Sequence, residues 1–241
     1  MASRHREARP DHETSATAQA RDGGECGHDC PMTQQEPARA SWDALEAPWR
    51  SAIDMAWQSY RDGGIAVGAV LTDAAGAVLG EGRNQRFAGR TRSLLAHAEL
   101  GALAALPPGK DRARDSVLYT TLSPCPMCLG AIVVARIGHV HLGAIDPTWL
   151  GIERLPDLND EVQRRWPQIH GPLPGPIGAW LTIAPCLNTS GALLRAMERT
   201  APRNAALARA VNRRYQESAH LPGTAAQALE DAWDLLTDST R

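Results

Sequence analysis

The sequence predicts an α/β fold in which helices cover both faces of a sheet, a three-layer α-β-α arrangement with a helical C-terminal extension. The chain has 241 residues, and its 43% hydrophobic and 22% charged residues are typical of a folded globular protein. Between residues 42 and 144, segments with helical periodicity alternate with short runs that are almost entirely apolar. Such runs are typical of strands that are buried on both faces.

The elements of this region are expected in the order helix, strand, strand, helix, strand, helix, strand. Their predicted ranges are 42–60, 65–71, 77–80, 94–106, 116–121, 125–136 and 140–144. The first helix has Ser41 as a possible cap and ends at Asp62-Gly63-Gly64. The two strands that follow form a hairpin, because the sequence between them, Asp73-Ala74-Ala75-Gly76, is typical of a turn.

The second predicted helix follows a polar loop at 83–93 and ends at Pro107-Pro108-Gly109. After the third strand, Ser123-Pro124 interrupts regular structure before the third helix. Farther along, residues 171–178 are too rich in proline and glycine for a regular element, whereas 153–168, 191–218 and 225–236 have helical patterns.

The chain is therefore expected to have three parts. Residues 1–40 are polar without apolar periodicity and are predicted to form a disordered tail. Residues 41–150 are predicted to form the core domain. Residues 151–241 are predicted to form a mostly helical extension that packs on the core or on a partner subunit.

Charge and composition limit the classes of partner. The net charge is −2 and Lys110 is the single lysine, so the chain lacks the basic surplus of an obligate nucleic-acid-binding protein. No apolar run approaches the roughly 18 residues of a membrane span, and we expect a cytoplasmic protein. The five cysteines are an odd number at uneven spacing, which favours metal ligation or catalysis over a disulfide framework.

Two short motifs carry the candidate chemistry: His97-Ala98-Glu99 and Pro124-Cys125-Pro126-Met127-Cys128, each near the predicted start of a helix. One imidazole nitrogen and two thiolates supply three ligands to a tetrahedral Zn²⁺ and leave the fourth position for water, as in catalytic zinc sites. Glu99 is two residues from the histidine and suits proton transfer rather than ligation. A structural zinc site in a protein without enzymatic activity is the alternative, but it has no use for Glu99.

These motifs are the signature of zinc-dependent base deaminases, and residues 65–146 resemble the cytidine and deoxycytidylate deaminase superfamily. The resemblance includes Asn84-Gln85-Arg86-Phe87, the segment LLAHAELGAL and the segment TTLSPCPMCLGAI. It is strongest to fungal cytosine deaminases and to bacterial guanine and nucleoside deaminases. The related tRNA adenosine deaminases usually carry glutamate where this chain has Ser123.

The resemblance implies a cytidine-deaminase-like fold, a zinc ion held by His97, Cys125 and Cys128, and Glu99 as the proton carrier. It implies hydrolysis, in which zinc-activated water attacks the ring carbon that bears an exocyclic amine and ammonia departs. No organic cofactor is required. The residues expected to contact the substrate are Asn84, Ala98, Ser123 through its backbone carbonyl, Asp146 and Trp149.

Three functions remain open on this evidence. The first is a zinc hydrolase that deaminates a free nucleobase or nucleoside, expected to be a homodimer because relatives commonly pair. The second is a tRNA adenosine deaminase, which would need a basic rim for RNA. The third is a non-catalytic, zinc-stabilised binding module on a deaminase fold. The sequence leaves the identity of the base open among cytosine, guanine, adenine and other aminated heterocycles.

Overall fold

The structure is a computed structural model that describes residues 35–87, 93–106, 112–188, 191–218 and 220–240. The helices within these ranges are α1 (Gln35–Asp43), α2 (Ala47–Arg61), α3 (Ala98–Leu103), α4 (Pro126–Ala135), α5 (Asp160–Arg165), α6 (Gly175–Ile183), α7 (Ala192–Thr200), α8 (Pro202–Glu217) and α9 (Ala225–Ser239). The strands are β1 (Gly68–Thr72), β2 (Val78–Arg83), β3 (Val117–Thr120), β4 (His139–Leu142) and β5 (Gln168–His170). Short 3-10 segments lie at Arg112–Asp115, Pro147–Trp149, Ile152–Leu158 and Ala184–Cys186.

In the described part of the chain the strands form one sheet in the order β2-β1-β3-β4-β5. Strand β1 is antiparallel to β2 and β3, whereas β3, β4 and β5 are mutually parallel. The carboxyl ends of β3 and β4 therefore lie at the same edge of the sheet. The loops that leave them are joined there, since the Ser123 amide donates to the Ala144 carbonyl at 2.8 Å.

Two glycines allow helices to lie directly against the sheet. A Cβ atom at Gly82 would lie 2.0 Å from the carbonyl oxygen of Ala98 in α3, and one at Gly68 would lie 2.0 Å from that of Ala52 in α2. Gly82 pairs with Ala69, the neighbour of Gly68, so the two glycines face opposite sides of the sheet. Helix α3 and helix α2 thus cover opposite faces, which confirms the predicted three-layer α/β architecture.

The buried hydrophobic residues of the described chain form two clusters. One lies on the face of the sheet that α3 and α4 cover, and the other lies between α2 and the C-terminal helices. The first lies between the sheet and helices α3 and α4 and includes Leu71, Ala98, Leu118, Ile132 and Val140. The second joins α1 and α2 to the C-terminal helices and includes Ile53, Trp57, Trp180, Tyr215 and Trp233. The C-terminal helices therefore pack on α2 of their own chain.

Three predicted boundaries are corrected at the ends of the core domain and in the extension. Residues 35–40, expected in the disordered tail, belong to α1, which also contains Ser41, so that serine does not cap a helix; residues 1–34 lie outside the described residues. The segment 171–178, expected to be irregular, contains the start of α6. Proline is tolerated in the first turn of a helix, where its missing amide would have no intrahelical partner. Strand β5 begins at the last residue of the predicted helix 153–168, and its three exposed residues carry no hydrophobic pattern that could have revealed it.

The helix predicted over 42–60 is interrupted at residues 44–46, between the end of α1 and the start of α2. The other predicted elements of the core domain are present with shifted ends, apart from the helix predicted over 94–106. That helix is shorter: α3 spans only Ala98–Leu103. Among the described residues, no helix is long and apolar enough to cross a membrane.

Candidate active site

His97 lies immediately before α3, in extended conformation with φ −87° and ψ 152°. The prediction that the helix includes residues 94–97 is therefore wrong. A local turn replaces its first residues, in which the His97 amide donates to the Leu95 carbonyl at 2.8 Å. Because His97 precedes the helix, its side chain is free to approach the start of α4.

Cys125 occupies the N-cap position of α4 and Pro126 begins the helix. Cys128 follows on the first turn, where it is fully buried. The Cys125 Sγ lies 3.7 Å from the His97 Nδ1, and the Cys128 Sγ lies 3.5 Å from the same atom. The two predicted motifs therefore meet, and their ligand atoms all lie within 4.8 Å of one another.

This geometry fits a zinc ion. Tetrahedral coordination with Zn–S near 2.3 Å and Zn–N near 2.1 Å places sulfur and nitrogen about 3.6 Å apart. Both observed separations between sulfur and Nδ1, 3.5 and 3.7 Å, agree with that value. His97, Cys125 and Cys128 thus form a potential metal-binding group with a soft, nitrogen-and-sulfur donor set.

The protonation of the thiols is consistent with such a group. A hydrogen bond from the Cys128 thiol lowers the pKa of Cys125 to about 4, and the neighbouring His97 acts in the same direction. The positive end of α4 also favours thiolate at this position. A hydrogen bond with Cys125 raises the pKa of His97, and a hydrogen bond with Cys125 followed by burial raises the pKa of Cys128. Metal binding displaces these protons.

Glu99 lies in the first turn of α3 with only 4% of its surface exposed. Burial raises the pKa of this carboxyl group. The side chains of Glu99 and Cys128 are hydrogen-bonded, so the carboxyl group is in contact with the ligand group. A buried carboxyl group beside a metal-binding group is positioned to hold or transfer a proton.

Asn84 follows β2 and is buried beside this group, with 4% of its surface exposed. Its amide donates to the Val67 carbonyl at 2.9 Å, and its side-chain Oδ1 accepts from the Arg86 amide at 3.0 Å. Because Oδ1 is occupied by the backbone, the Nδ2 group remains available as a donor.

Ser123 and Asp146 lie at the carboxyl ends of β3 and β4. The Ser123 Oγ accepts from the Asp146 amide at 2.8 Å, and the Asp146 Oδ1 accepts from the Thr148 amide at 2.9 Å. These bonds hold the loop that leads to Trp149, which is 41% exposed.

A cavity of about 450 Å³ opens beside the ligand group. Among its lining residues are the predicted residues His97, Glu99, Cys125, Asn84, Ser123, Asp146 and Trp149. Ala98 is not among the described residues that line it, since it is fully buried in the core beneath the sheet. Cys128, the buried member of the potential metal-binding group, does not line the cavity itself.

Several lining residues were not predicted from the sequence: Arg86, Leu94, Thr182, Cys186, Leu193 and Met197. The last four belong to the C-terminal extension, where no motif distinguishes them. Arg86 lies two residues after Asn84 in the motif of the resemblance, and that proximity was the available signal. Cys186 is a buried thiol, and burial raises its pKa to about 11.

The chain is similar in sequence to known deaminases. Residues 43–144 match the profile of the cytidine and deoxycytidylate deaminase zinc-binding region. The cytosine deaminase of Candida albicans is 41% identical over 106 residues, which cover 43% of this chain and 68% of that protein. The tRNA-specific adenosine deaminase of Haemophilus influenzae is 41% identical over 103 residues, which cover 42% of this chain and 58% of that protein.

Other similarities are more partial. The tRNA(Ile)-lysidine synthase of Deinococcus radiodurans is 42% identical over 107 residues, covering 44% of this chain but only 18% of that protein. Among solved structures, the guanine deaminase of Bacillus subtilis aligns with a TM-score of 0.35 and 30% identity, covering 42% of this chain and 66% of that one. The region matched by the family profile, residues 43–144, includes β1–β4 and both motifs and ends before the C-terminal helices.

Proposed function

Because the chain belongs to the cytidine and deoxycytidylate deaminase family, whose shared region binds zinc, we propose that it is a hydrolytic deaminase of a free nucleobase or nucleoside. In the overall reaction, water adds at the ring carbon that bears the exocyclic amine, that C–N bond breaks, and ammonia is released. One observation carries the choice of a small substrate. The cavity beside the ligand group is lined on one side by the C-terminal extension of the same chain, through Thr182, Cys186, Leu193 and Met197.

The proposed ligands are His97, Cys125 and Cys128, which leave a fourth tetrahedral position for water. When bound, Zn²⁺ is a Lewis acid that lowers the pKa of water to about 7 and so provides a nucleophile at neutral pH. The two cysteines and the histidine hold that centre, and the buried positions of Cys128 and Glu99 limit access of bulk solvent from behind.

Glu99 is the proposed proton carrier. Its carboxylate would take one proton from the attacking water and deliver it to a ring nitrogen. It would then take the proton of the hydroxyl group added at the ring carbon and deliver it to the exocyclic amine nitrogen, as the C–N bond breaks, a ring carbonyl forms and ammonia leaves. Burial favours the protonated carboxyl group, which suits a group that must both accept and return a proton.

The proposed substrate contacts surround this centre. The Asn84 Nδ2 would donate to an acceptor on the ring, and the Ser123 carbonyl would face the leaving amine. The Asp146 Oδ2 would accept from a ring N–H, because its Oδ1 already accepts from Thr148. Trp149 would stack on the heterocycle. Ala98 retains a proposed role only through its backbone, since its side chain is buried in the core.

The tRNA adenosine reading is the second candidate, supported by the similarity to the Haemophilus influenzae protein. Among the described residues, exposed apolar side chains lie in the cavity lining or next to it in sequence: Leu94, Leu95, Trp149 and Leu150. Arg86 is the single arginine or lysine among the described residues that line it. An RNA substrate requires phosphate contacts that these residues do not provide.

Ammonia release from purified, zinc-loaded protein tests the proposal. The panel is cytosine, cytidine, guanine, guanosine, adenine, adenosine, their 5′-monophosphates and a tRNA anticodon stem-loop, and Glu99→Ala protein is the blank. Turnover of one small compound by the wild type, and its absence in the blank, is the expected result. Turnover of the stem-loop alone would replace the proposal with the RNA reading. Silence across the panel with full zinc loading would favour the non-catalytic module.

A homodimer is also proposed, on the evidence of α4. This helix is apolar around its whole circumference, yet its outward positions remain uncovered in the single chain, with Val134 72% exposed. A helix that is apolar all round is normally buried, so a second copy of this chain is the proposed cover. Sedimentation of wild-type and Val134→Glu protein should give a dimer and a monomer.

A cytoplasmic location is proposed because zinc ligation needs reduced thiols.

A further inference from the structure

Arg86 lines the cavity, and its Nε atom is buried without a hydrogen-bond partner. The side chain makes no ion pair with any described residue of the chain. Unpartnered buried donors are rare in folded proteins, since a donor that loses its hydrogen bonds to water without gaining others destabilises the fold. The partner of this guanidinium is therefore to be sought in the cavity it lines.

The surroundings of Arg86 fix its base and leave its donors free. Its amide donates to the Asn84 Oδ1 at 3.0 Å, and the preceding Gln85 amide donates to the Ala96 carbonyl at 2.9 Å. The guanidinium carbon lies 5.1 Å from the centre of the Phe87 ring. This cation–π contact involves the charge of the guanidinium and does not use its N–H groups as hydrogen-bond donors to a protein acceptor.

Donors therefore collect on one side of the cavity. The Asn84 Nδ2 donates to no described residue, and the Arg86 guanidinium has donors only. The cavity is otherwise lined largely by apolar side chains, including Ile65, Val67 and Leu94. Hydrogen bonds to a charged donor are stronger in such surroundings than in water.

We infer that Arg86 is a specificity-determining residue that binds an oxygen acceptor of the substrate beside Asn84. The substrate class is thus an aminated heterocycle that carries either a ring oxo group or an anionic oxygen substituent such as a phosphate. This inference rests on the proposed function, which identifies the cavity as the substrate site. The preference for an oxygen acceptor follows from the guanidinium, which can only donate hydrogen bonds.

Matched ligand pairs distinguish the two sources of oxygen. Cytosine with 4-aminopyrimidine, and guanine with 2-aminopurine, differ only in the ring oxo group. Cytidine with cytidine 5′-monophosphate, and guanosine with guanosine 5′-monophosphate, differ only in the phosphate. Calorimetry measures the dissociation constant of each compound for zinc-loaded Glu99→Gln protein, with Arg86 intact or replaced by methionine or lysine.

We expect Arg86→Met to weaken binding of the oxygen-bearing member of one pair type by about 10- to 100-fold, the range expected for a hydrogen bond to a charged donor. Its partner compound should change by less than about threefold, and Arg86→Lys should restore part of the loss because it retains the charge. The exposed Arg203→Met is the matched control. Zinc content and melting temperature show that each variant is folded.

The inference is overturned if Arg86→Met changes both members of every pair equally. The proposed function fails separately, if the wild type releases no ammonia from compounds that nevertheless bind in an Arg86-dependent way. Loss of the oxo preference identifies a base-recognising arginine, and loss of the phosphate preference identifies a nucleotide-recognising one.

Discussion

The Ser123 Oγ accepts a hydrogen bond from the Asp146 amide at 2.8 Å, which joins the loop after β3 to the loop after β4. The two residues belong to parallel neighbours in the sheet, and both line the cavity. The bond therefore fixes the side of the cavity that leads to Trp149.

Replacement of Ser123 by alanine should make the connection between the loops after β3 and β4 less rigid. The Asp146 amide loses its acceptor, so we expect a decrease of about 1 kcal/mol in the free energy of unfolding. We also expect a several-fold decrease in kcat/KM with unchanged zinc content. Urea unfolding, steady-state kinetics and metal analysis measure the three quantities. Ser239→Ala, which removes a hydroxyl group that donates to Leu236 in α9, should leave kcat/KM unchanged.

Two cysteine substitutions test which residues bind zinc. Cys128→Ala should lose zinc affinity by more than about 100-fold, since loss of even an outer-shell partner costs 10- to 100-fold. Cys186→Ala should retain zinc, because Cys186 lines the cavity but is not part of the metal-binding group. Competition with a chromogenic chelator gives both affinities. Equal zinc loss in the two variants would contradict the assigned ligands.

Gly82 connects the sheet to the site through α3. A Cβ atom there would lie 2.0 Å from the Ala98 carbonyl oxygen, so Gly82→Ala must push away the helix whose first turn holds Glu99. We expect destabilisation of about 2–3 kcal/mol, typical of overpacking, and weaker zinc binding. Within one chain, Gly130→Ala in α4 meets no atom within 4 Å, so in the monomeric Val134→Glu background it should be neutral or stabilising. Thermal unfolding of zinc-loaded and zinc-free samples compares them.

The Tyr215 hydroxyl group is a buried junction between three helices. It accepts from the Trp180 Nε1 at 3.0 Å and donates to the Ala228 carbonyl at 2.7 Å. Tyr215→Phe leaves both partners unsatisfied, and we expect a loss of about 2 kcal/mol in the free energy of unfolding. Tyr60→Phe in the same aromatic cluster is the control, because among the described residues its hydroxyl group has no hydrogen-bond partner. Similar losses in both variants would show that the two hydrogen bonds of the Tyr215 hydroxyl group contribute nothing measurable to stability.

His141 should make stability depend on pH. Burial, followed by the charge of His170 and of His139, lowers its pKa from 6.5, whereas Glu46 raises it by less. The unfolded chain therefore binds a proton at a higher pH than the folded chain does. The stability of the neutral form is present above about pH 6.5 and is lost as the pH falls toward the lowered pKa.

Urea unfolding of wild-type and His141→Gln protein between pH 7.5 and 5 measures this difference. We expect the wild type to lose stability more steeply below about pH 6.5, with a difference that is constant at higher pH. Parallel pH profiles for the two proteins would show that His141 does not titrate differently on folding.

The sequence predicted the parts of the site that local chemistry determines. His97, Glu99, Cys125 and Cys128 form two short motifs, and parallel strands with helix starts bring such motifs together at one edge. The far side of the cavity could not be predicted, since Thr182, Leu193 and Met197 are ordinary residues of apolar helices whose position depends on packing against α2. Helix α6 was missed for a related reason, because proline and glycine at its first turn resemble a break.

The cavity is divided along the chain in a way that has an evolutionary consequence. The residues proposed for the chemical step lie within 43–144, which the family profile matches, whereas Trp149, Thr182, Leu193 and Met197 lie beyond it. Substitutions in the later segment can alter which heterocycle fits without touching a proton carrier or a metal ligand. Chimaeras that exchange residues 145–218 between family members should therefore transfer substrate preference, while the bond that is cleaved stays the same. Substrate selectivity can thus evolve independently of the chemical step.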